Sequence, residues 1–584
     1  MYQAVKVNIP TTRGISRKKI NGTTYIYYEL SRTYLPEKKY NCPKCVTIGK
    51  MDIDDPTKMF PNEKFRQYFP EEALPEEEGN FRSSCIHAGA YYVIRKVIQD
   101  CGLDEKLGKI LGRDAGLFLD FAAYAIMTED NAAQYYPDYA YNHLLFTEEM
   151  RIFSDSTIGE FLQRTTRDQR IEFLNEWNTG RDHRERIYIS YDSTNKNCQA
   201  GDIDMVEVGH PKEDNGKPIF NVSVAYDGSN REPLFYESYP GSIVDVSQLQ
   251  YMLGKAQGYG YRHVGFILDR GYFGRENIRY MDKCGYEFVI MTKGMKALVS
   301  KVVEDVRRTF EKDRRCSIRS YRVNGTTVSG ELFPSDERKR YFHVYYSERK
   351  AAAEREEFEQ KIDRMAAILK EKEGEKAEFD PVFERYFDLI YYHKGEEDEA
   401  FVAARERTDE INKVIAQCGY FVLITSEKMT AAEALHLYKS RDASEKLFRG
   451  NKSYLGGRTE RTYSNESTDT KLFIEFVAMI IRNRIYTSLK DEMESQGKRM
   501  NYMTVPAALK ELDKIEILKR PDGAYTLDHA ITATQKAILR AFGMDAAGLQ
   551  KQIRETGKEL AKIVRKEASA GAAEEEKGCQ GRRR

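Results

Sequence analysis

Residues 263–273 read HVGFILDRGYF, and the fold is decided by how this stretch is read. His263–Leu268, apolar after its first residue, reads as a buried strand ending at Asp269. A short, unbroken apolar run of this kind, bounded by turn residues, is the pattern of a strand buried on both faces. The same pattern recurs on either side. Ile187–Tyr191 is a short apolar strand ending at Asp192, and Glu287–Met291 is another strand. Between them, Ile219–Ala225 and Leu234–Tyr239 look like antiparallel strands joined through Asp227-Gly228 and its neighbours. Val246–Ala256 and Arg275–Lys283 carry helical spacing.

Three neighbouring strands, then alternating helices and strands, predict an α/β fold with a mixed sheet flanked by helices. That order is the one found in the ribonuclease-H-like fold. The core is expected in two parts, 186–296 and 419–490, the second holding the strand Phe421–Thr425 and a helix from near Thr430. Residues 297–418 break the rhythm and read as a large α+β insertion. Ser317–Ser329 and Arg340–Tyr346 are strand-like there, followed by a highly charged helix, Glu348–Glu373. Upstream, 1–80 reads as a basic, β-rich module with an acidic linker at 70–79, and 81–185 as a helical domain. The basic, Tyr-rich sheet of the first module suits a phosphate backbone, and equally an ordinary small sheet kept soluble by its lysines. Within 81–185, Thr157–Trp177 has helical spacing, with Ser156 or Asp155 as its cap. Residues 491–566 read as a helical region, and the Ala/Glu/Gly/Arg-rich 567–584 as a disordered tail.

The chain has 584 residues, with 92 Lys+Arg against 92 Asp+Glu. Gly 40 and Pro 16 exclude collagenous and low-complexity classes. The best apolar runs, Ala115–Met127 and Leu472–Ile481, are short and each contains a carboxylate, which argues against a membrane span. No basic-then-apolar leader opens the sequence, so a cytoplasmic address is expected. The neutral total is a sum of opposed blocks. Residues 1–50 hold 10 basic and 2 acidic residues and 51–80 hold 3 and 9, while 301–350 hold 13 and 8 and 351–410 hold 10 and 19. Local positive charge is all that phosphate contacts require.

The chemistry rests on carboxylates. Asp192 and Asp269 stand at strand ends of one α/β unit, where loops and ligands meet, although a lone strand-end Asp is often a turn or cap residue. The helix 430–450 and its extension carry Tyr438, Arg441, Glu445 and Lys452, spaced Y-x2-R-x3-E-x6-K. Seven residues turn a helix by about 700°, so Tyr438, Glu445 and Lys452 share a stripe, with Arg441 one turn before Glu445. One carboxylate among two cations and a phenol suits a site holding metal ions and DNA phosphates. A solvated helix face with an Arg441–Glu445 pair has the same spacing.

Tyr191-Asp192-Ser193-Thr194, the segment Leu268-Asp269-Arg270-Gly271-Tyr272-Phe273 and the complete Y-x2-R-x3-E-x6-K resemble bacterial DDE transposases of the insertion-sequence-four superfamily. The chain length and Gly456-Gly457-Arg458-Thr459 look most like the insertion-sequence sixteen-thirty-four type, and Pro233-Leu234 … Pro240-Gly241 … Asp245 is similar to the family's stretch between the first two aspartates. The resemblance covers roughly 186–295 and 419–485. It implies that Asp192, Asp269 and Glu445 are catalytic and hold two Mg²⁺ ions, for which Mn²⁺ can substitute. It further implies that Tyr438 stacks on or hydrogen-bonds to DNA, and that Arg441, Lys452 and Arg270 bind phosphates. The implied partners are terminal inverted repeats, bound by the N-terminal blocks 1–80 and 81–185, and target DNA, with a homodimer or larger assembly on DNA and no nucleotide cofactor. The Trp of the inserted domain that assists hairpin formation in some members has no counterpart in 297–418, since the only Trp is Trp177.

Two other functions fit the same residues: a metal-dependent nuclease without strand transfer, and a domesticated, non-catalytic DNA-binding protein. Gly258-x-Gly260-x4-Gly265 precedes a strand, whereas a dinucleotide fingerprint follows one. Cys42, Cys45, Cys85 and His87 form a weak zinc pattern, because Cys42 and Cys45 sit in a strand where residues three apart face opposite ways.

Overall fold

The computed structural model describes residues 6–20, 22–35, 40–53, 55–69, 82–180, 186–200, 202–209, 216–243, 245–269, 272–292, 296–333, 338–392, 400–497, 503–520 and 523–581. The acidic linker at 70–79 and Arg270 lie outside them. The chain divides into two compact units. One comprises Met1–Phe173, Ser453–Gly457 and Glu466–Arg584, the other Leu174–Lys452 and Arg458–Asn465.

The second unit is built on a ten-stranded sheet. Its strands are β1 (Ile187–Cys198), β2 (Ile219–Asp227), β3 (Glu232–Pro240), β4 (Val264–Leu268), β5 (Glu287–Met291), β6 (Ser317–Ile318), β7 (Val323–Gly330), β8 (Arg340–Tyr346), β9 (Tyr420–Thr425) and β10 (Thr459–Glu460). The order is β6-β7-β8-β9-β5-β4-β1-β2-β3, with β10 pairing with β1. β1, β2 and β3 are antiparallel neighbours, and β4 and β5 add in parallel on the other side of β1. Helices α1 (Asp245–Gly258) and α2 (Arg275–Cys284) make the crossovers. All five residues of β4 are buried, as its unbroken apolar run requires. Its one glycine has a packing reason: a Cβ on Gly265 would lie 2.3 Å from the ring of Tyr188, its partner on β1. The fold is thus the mixed α/β sheet expected from 186–296.

Two expectations need correction here. β1 continues to Cys198, so Asp192 lies within a strand rather than at its end. The continuation pairs with β2 throughout, for example Asp192 with Val224, and that partner lies too far away in sequence to be read locally. Nor is 297–418 a single insertion. β6, β7 and β8 join the main sheet through β9, and a turn at 319–322 splits the single strand expected over Ser317–Ser329. Only the segment from Glu348 to Ile415 builds its own small core, around Ile362, Leu369, Tyr386 and Phe401, with the hairpin Phe387–Tyr392/Ala400–Glu406.

In the first unit, Tyr/Thr/Ile-rich Thr23–Leu35 pairs with Tyr40–Met51 in a five-stranded sheet closed over Ile26, Ile48, Met59 and Phe65. The regions 81–185 and 491–566, expected as separate domains, meet in one three-stranded sheet: Cys85–His87 pairs with Glu516–Lys519, which pairs with Tyr525–Leu527. Amphipathic spacing shows that a face is buried but not which distant face covers it. The helix Asn465–Ser495 is buried along most of 467–483, so from Glu466 onward the expected second core part belongs to this unit. Thr157–Trp177 is two helices, Asp155–Arg164 and Arg167–Thr179. Ser154, not Ser156 or Asp155, caps the first by accepting from the Thr157 N–H at 3.3 Å. The last helix, Ala546–Gly581, takes in residues expected to be disordered. Ala, Glu and Lys are strong helix formers, a preference that a compositional reading of disorder does not weigh. Among the described residues, no helix is long and apolar enough to cross a membrane.

Candidate active site

The site begins with strand register. β4 pairs in parallel with β1 from Val264↔Ile187 to Leu268↔Tyr191. Asp269 and Asp192 are each the next residue, so their backbones are neighbours at about the 4.8 Å inter-strand spacing. Beneath them the rings of Tyr191 and Tyr272 pack 5.1 Å apart, both buried. After Asp269 the chain turns, with the Tyr272 N–H donating to the Asp269 carbonyl at 3.0 Å, and buried Asn277 holds the Tyr272 carbonyl at 3.1 Å. The sequence reading did not pick out Asn277; its only signal is a polar residue on the inner face of an amphipathic helix. Asp192 accepts the Ser193 N–H at 2.9 Å.

The third carboxylate comes from α3 (Ala431–Ser440) and α4 (Asp442–Tyr454), where one straight helix was expected. Thr430 opens α3 with a reciprocal capping box to Glu433. At Arg441 the N–H turns back to the Lys439 and Tyr438 carbonyls and a second helix begins. Glu445 therefore stands in the first turn of α4, where the helix dipole favours negative charge. Arg441 keeps right-handed helical dihedrals, φ −58° and ψ −25°, and its carbonyl accepts from the Glu445 N–H at 3.2 Å, so the two helices follow one another without a sharp break. Lys452 lies seven residues beyond Glu445 on α4 and is half-buried.

Arg441 is the centre of the arrangement. Its Nη1 lies 3.0 Å from Asp269 Oδ1, and its Nη2 is ion-paired with Glu445 Oε1. Its Cζ lies over the Tyr438 ring, 5.4 Å from the centroid. Burial works against the guanidinium charge. The Tyr438 phenol and the carboxylates of Asp269, Glu445 and Asp192 outweigh it and hold the pKa above its ordinary value. The three carboxylates thus act electrostatically on one side chain. Arg441 is 12% exposed, whereas Asp269 and Glu445 are 38% and 44% exposed, so the carboxylates reach solvent while their cation sits behind them.

Tyr438 is placed differently from the expectation. It is 6% exposed and packs in the core with Ile267, Val289, Leu423 and Leu435. A ring so enclosed is not available to stack on DNA. It is a platform for Arg441, and the spacing in sequence gave no sign of which side of the helix faces the sheet.

Among the described residues, no group of three or more His, Cys, Asp and Glu forms a ready metal cluster. In the carboxylate site the positive charge is supplied by Arg441, which stands where a cation would be attracted. The donors are hard oxygens, the chemistry that suits Mg²⁺ or Mn²⁺. The zinc pattern is split between two sheets: Cys42 and Cys45 are exposed on Tyr40–Met51, and Cys85 and His87 lie on the short strand beside Glu516–Lys519.

Residues 191–481 match the family model described as a transposase DDE domain. No curated protein matches the chain. Among solved structures, a piggyBac transposase synaptic complex with hairpin DNA aligns at 10% identity and a TM-score of 0.32, over 71% of this chain and 65% of that one. A Mos1 transposase paired-end complex with left transposon end aligns at 16% identity and a TM-score of 0.13, over 28% of this chain and 56% of that one. A Mos1 mariner paired-end complex with Mn aligns at 16% identity and a TM-score of 0.12, with the same coverage. The stretch that carries Asp192, Asp269 and Glu445 thus lies within the match to the transposase DDE domain model.

Proposed function

We propose that this chain is a transposase that binds the terminal inverted repeats of an insertion sequence, hydrolyses DNA at the element ends and transfers the 3′ ends to target DNA. The observation that carries the reading is the parallel register that sets Asp192 beside Asp269, with Glu445 joined to Asp269 through Arg441. The strand order β3-β2-β1-β4-β5 supports a ribonuclease-H-like core, and the sequence motifs support the insertion-sequence-four superfamily, sixteen-thirty-four type.

Asp192, Asp269 and Glu445 would hold the two Mg²⁺ ions, with Mn²⁺ as a substitute. When bound, the ions would supply a nucleophile at neutral pH and stabilise the leaving oxygen. The chain's own residues do the rest. Tyr191, Tyr272 and Asn277 fix the two aspartates, and the first turn of α4 fixes Glu445. Arg441 has the planar, bidentate geometry suited to a phosphate, and cations on the carboxylates would release it from Asp269 and Glu445 for that role. Lys452 would add a point charge along the same helix, and Arg270 would face phosphate beside Asp269. The assembly on DNA is a dimer or larger.

The experiment is strand transfer. With Mg²⁺, the protein should join a pre-cut element end to plasmid DNA. Cleavage without any joining would identify a nuclease, and end binding with neither reaction would identify a non-catalytic binder.

A further inference from the structure

Residues 307–322, between the helix Lys296–Val306 and β7, hold seven Arg or Lys against two carboxylates, Glu311 and Asp313. Both carboxylates are engaged within the unit. Asp313 accepts from the Arg315 backbone at 2.9 Å and pairs with its guanidinium at 2.7 Å. Glu311 accepts from the backbone N–H groups of Arg308 and Phe310 and from the Tyr420 hydroxyl. Arg314, Arg319 and Arg322 are exposed and make no ion pair among the described residues.

The segment is built rather than loose. The Tyr321 N–H donates to the Ile318 carbonyl at 3.1 Å and the Arg322 N–H to the Arg319 carbonyl at 3.2 Å, which closes a tight turn between β6 and β7. Asn324 Nδ2 ties the hairpin to the preceding loop through the carbonyls of Phe310 and Asp313, at 3.2 and 3.1 Å. Arg322 has φ +55°, a left-handed conformation that glycine adopts freely and side chains rarely do. The turn is also fixed to the catalytic helix pair. The Tyr321 hydroxyl lies 3.0 Å from Nδ1 of His436 on α3, and Tyr321 packs against the same cluster as Tyr438.

We propose that the turn Arg319–Arg322 is a phosphate clamp, independent of base sequence, that seats the double-stranded DNA leading into the carboxylate site. This rests on the DNA-processing function proposed above. Duplex DNA presents about one negative charge per 1.7 Å of axis, and backbone contacts fix its position without reading bases. Two unpaired guanidiniums three residues apart on a closed turn, held to the helix that leads to Arg441, match that polyanion.

The test uses the full chain and a short duplex of arbitrary sequence, with affinity measured from 50 to 200 mM salt. Losing two phosphate contacts should flatten the log–log salt slope by about 1.8, so R319A/R322A should lose about 12-fold less affinity than wild type over that range. R322G suits the left-handed backbone, so it should fold at least as well as wild type and flatten the slope by about 0.9. If wild type binds and both arginine variants keep its slope, the clamp is overturned alone. If wild type binds no duplex at 50 mM salt, the DNA-processing function falls with it.

Discussion

Strand β1 carries two charged side chains four residues apart on one face, and the structure treats them in opposite ways. Asp192 is half-buried and shares the field of Arg441 with two carboxylates that reach solvent. Lys196 is sealed, 2.8 Å from Glu460 on β10, with both side chains 0% exposed. The sealed pair joins β10 to β1 beside the backbone pairing of Thr459 with Asn197. Its charges have no route to a ligand. The open group has an excess of carboxylates over cations and access to water, the condition for taking up cations and phosphates. Burial, more than charge, separates a structural pair from a site.

The largest expected effect breaks the open group. D192A should reduce Mg²⁺-dependent DNA cleavage by about 10³-fold or more, because loss of metal ligation removes several kcal/mol of transition-state stabilisation. DNA binding and thermal stability should stay near wild type.

Breaking the sealed pair should do the reverse. K196M strands Glu460 in the core and should cost about 3–5 kcal/mol in a denaturation measurement. K196M/E460M removes both charges and should recover most of that loss.

A third arrangement keeps a titratable group neutral. His343 is fully buried between Thr327 and Thr425, at 2.9 Å from each hydroxyl, and burial lowers its pKa to about 4. The unfolded chain binds a proton near pH 6.5 that the folded chain refuses until about pH 4. This contribution is therefore complete above pH 6.5 and lost as pH falls towards 4, by about 3 kcal/mol in all. Asp120, in the other unit, has the opposite sign: burial pushes its carboxyl up to about 7, so its contribution fades as pH rises. The measurement is thus the difference between wild type and H343N across pH 4–7, which should isolate the histidine slope.

The smallest effect tests the entry to the helix pair that carries Glu445. T430A removes the capping box of α3 and should cost about 1 kcal/mol, with cleavage nearly unchanged.

Much of this was legible before any coordinates. Continuous apolar runs located β4 and β5, the alternation predicted the mixed sheet, and the motifs named three carboxylates that the structure relates through Arg441. What the sequence could not show was set by distant partners. The continuation of β1 past Asp192 depends on β2, and the place of β6–β8 in the sheet depends on β9. The burial of the Tyr438 ring against the sheet could not be read from helical spacing, which fixes relative angle and not which side meets the sheet. The sealed Lys196–Glu460 pair had no local signal, since 264 residues separate its members.

The most direct measurement is a side-by-side Mg²⁺-dependent cleavage assay on element-end DNA with wild type, D192A, D269A, E445A and K196M/E460M. The expected result is that the three site variants bind the DNA and fail to cut it, while the doubly neutral variant cuts as wild type does. Cutting at the wild-type rate by any one of the three site variants would contradict a single catalytic group made of Asp192, Asp269 and Glu445.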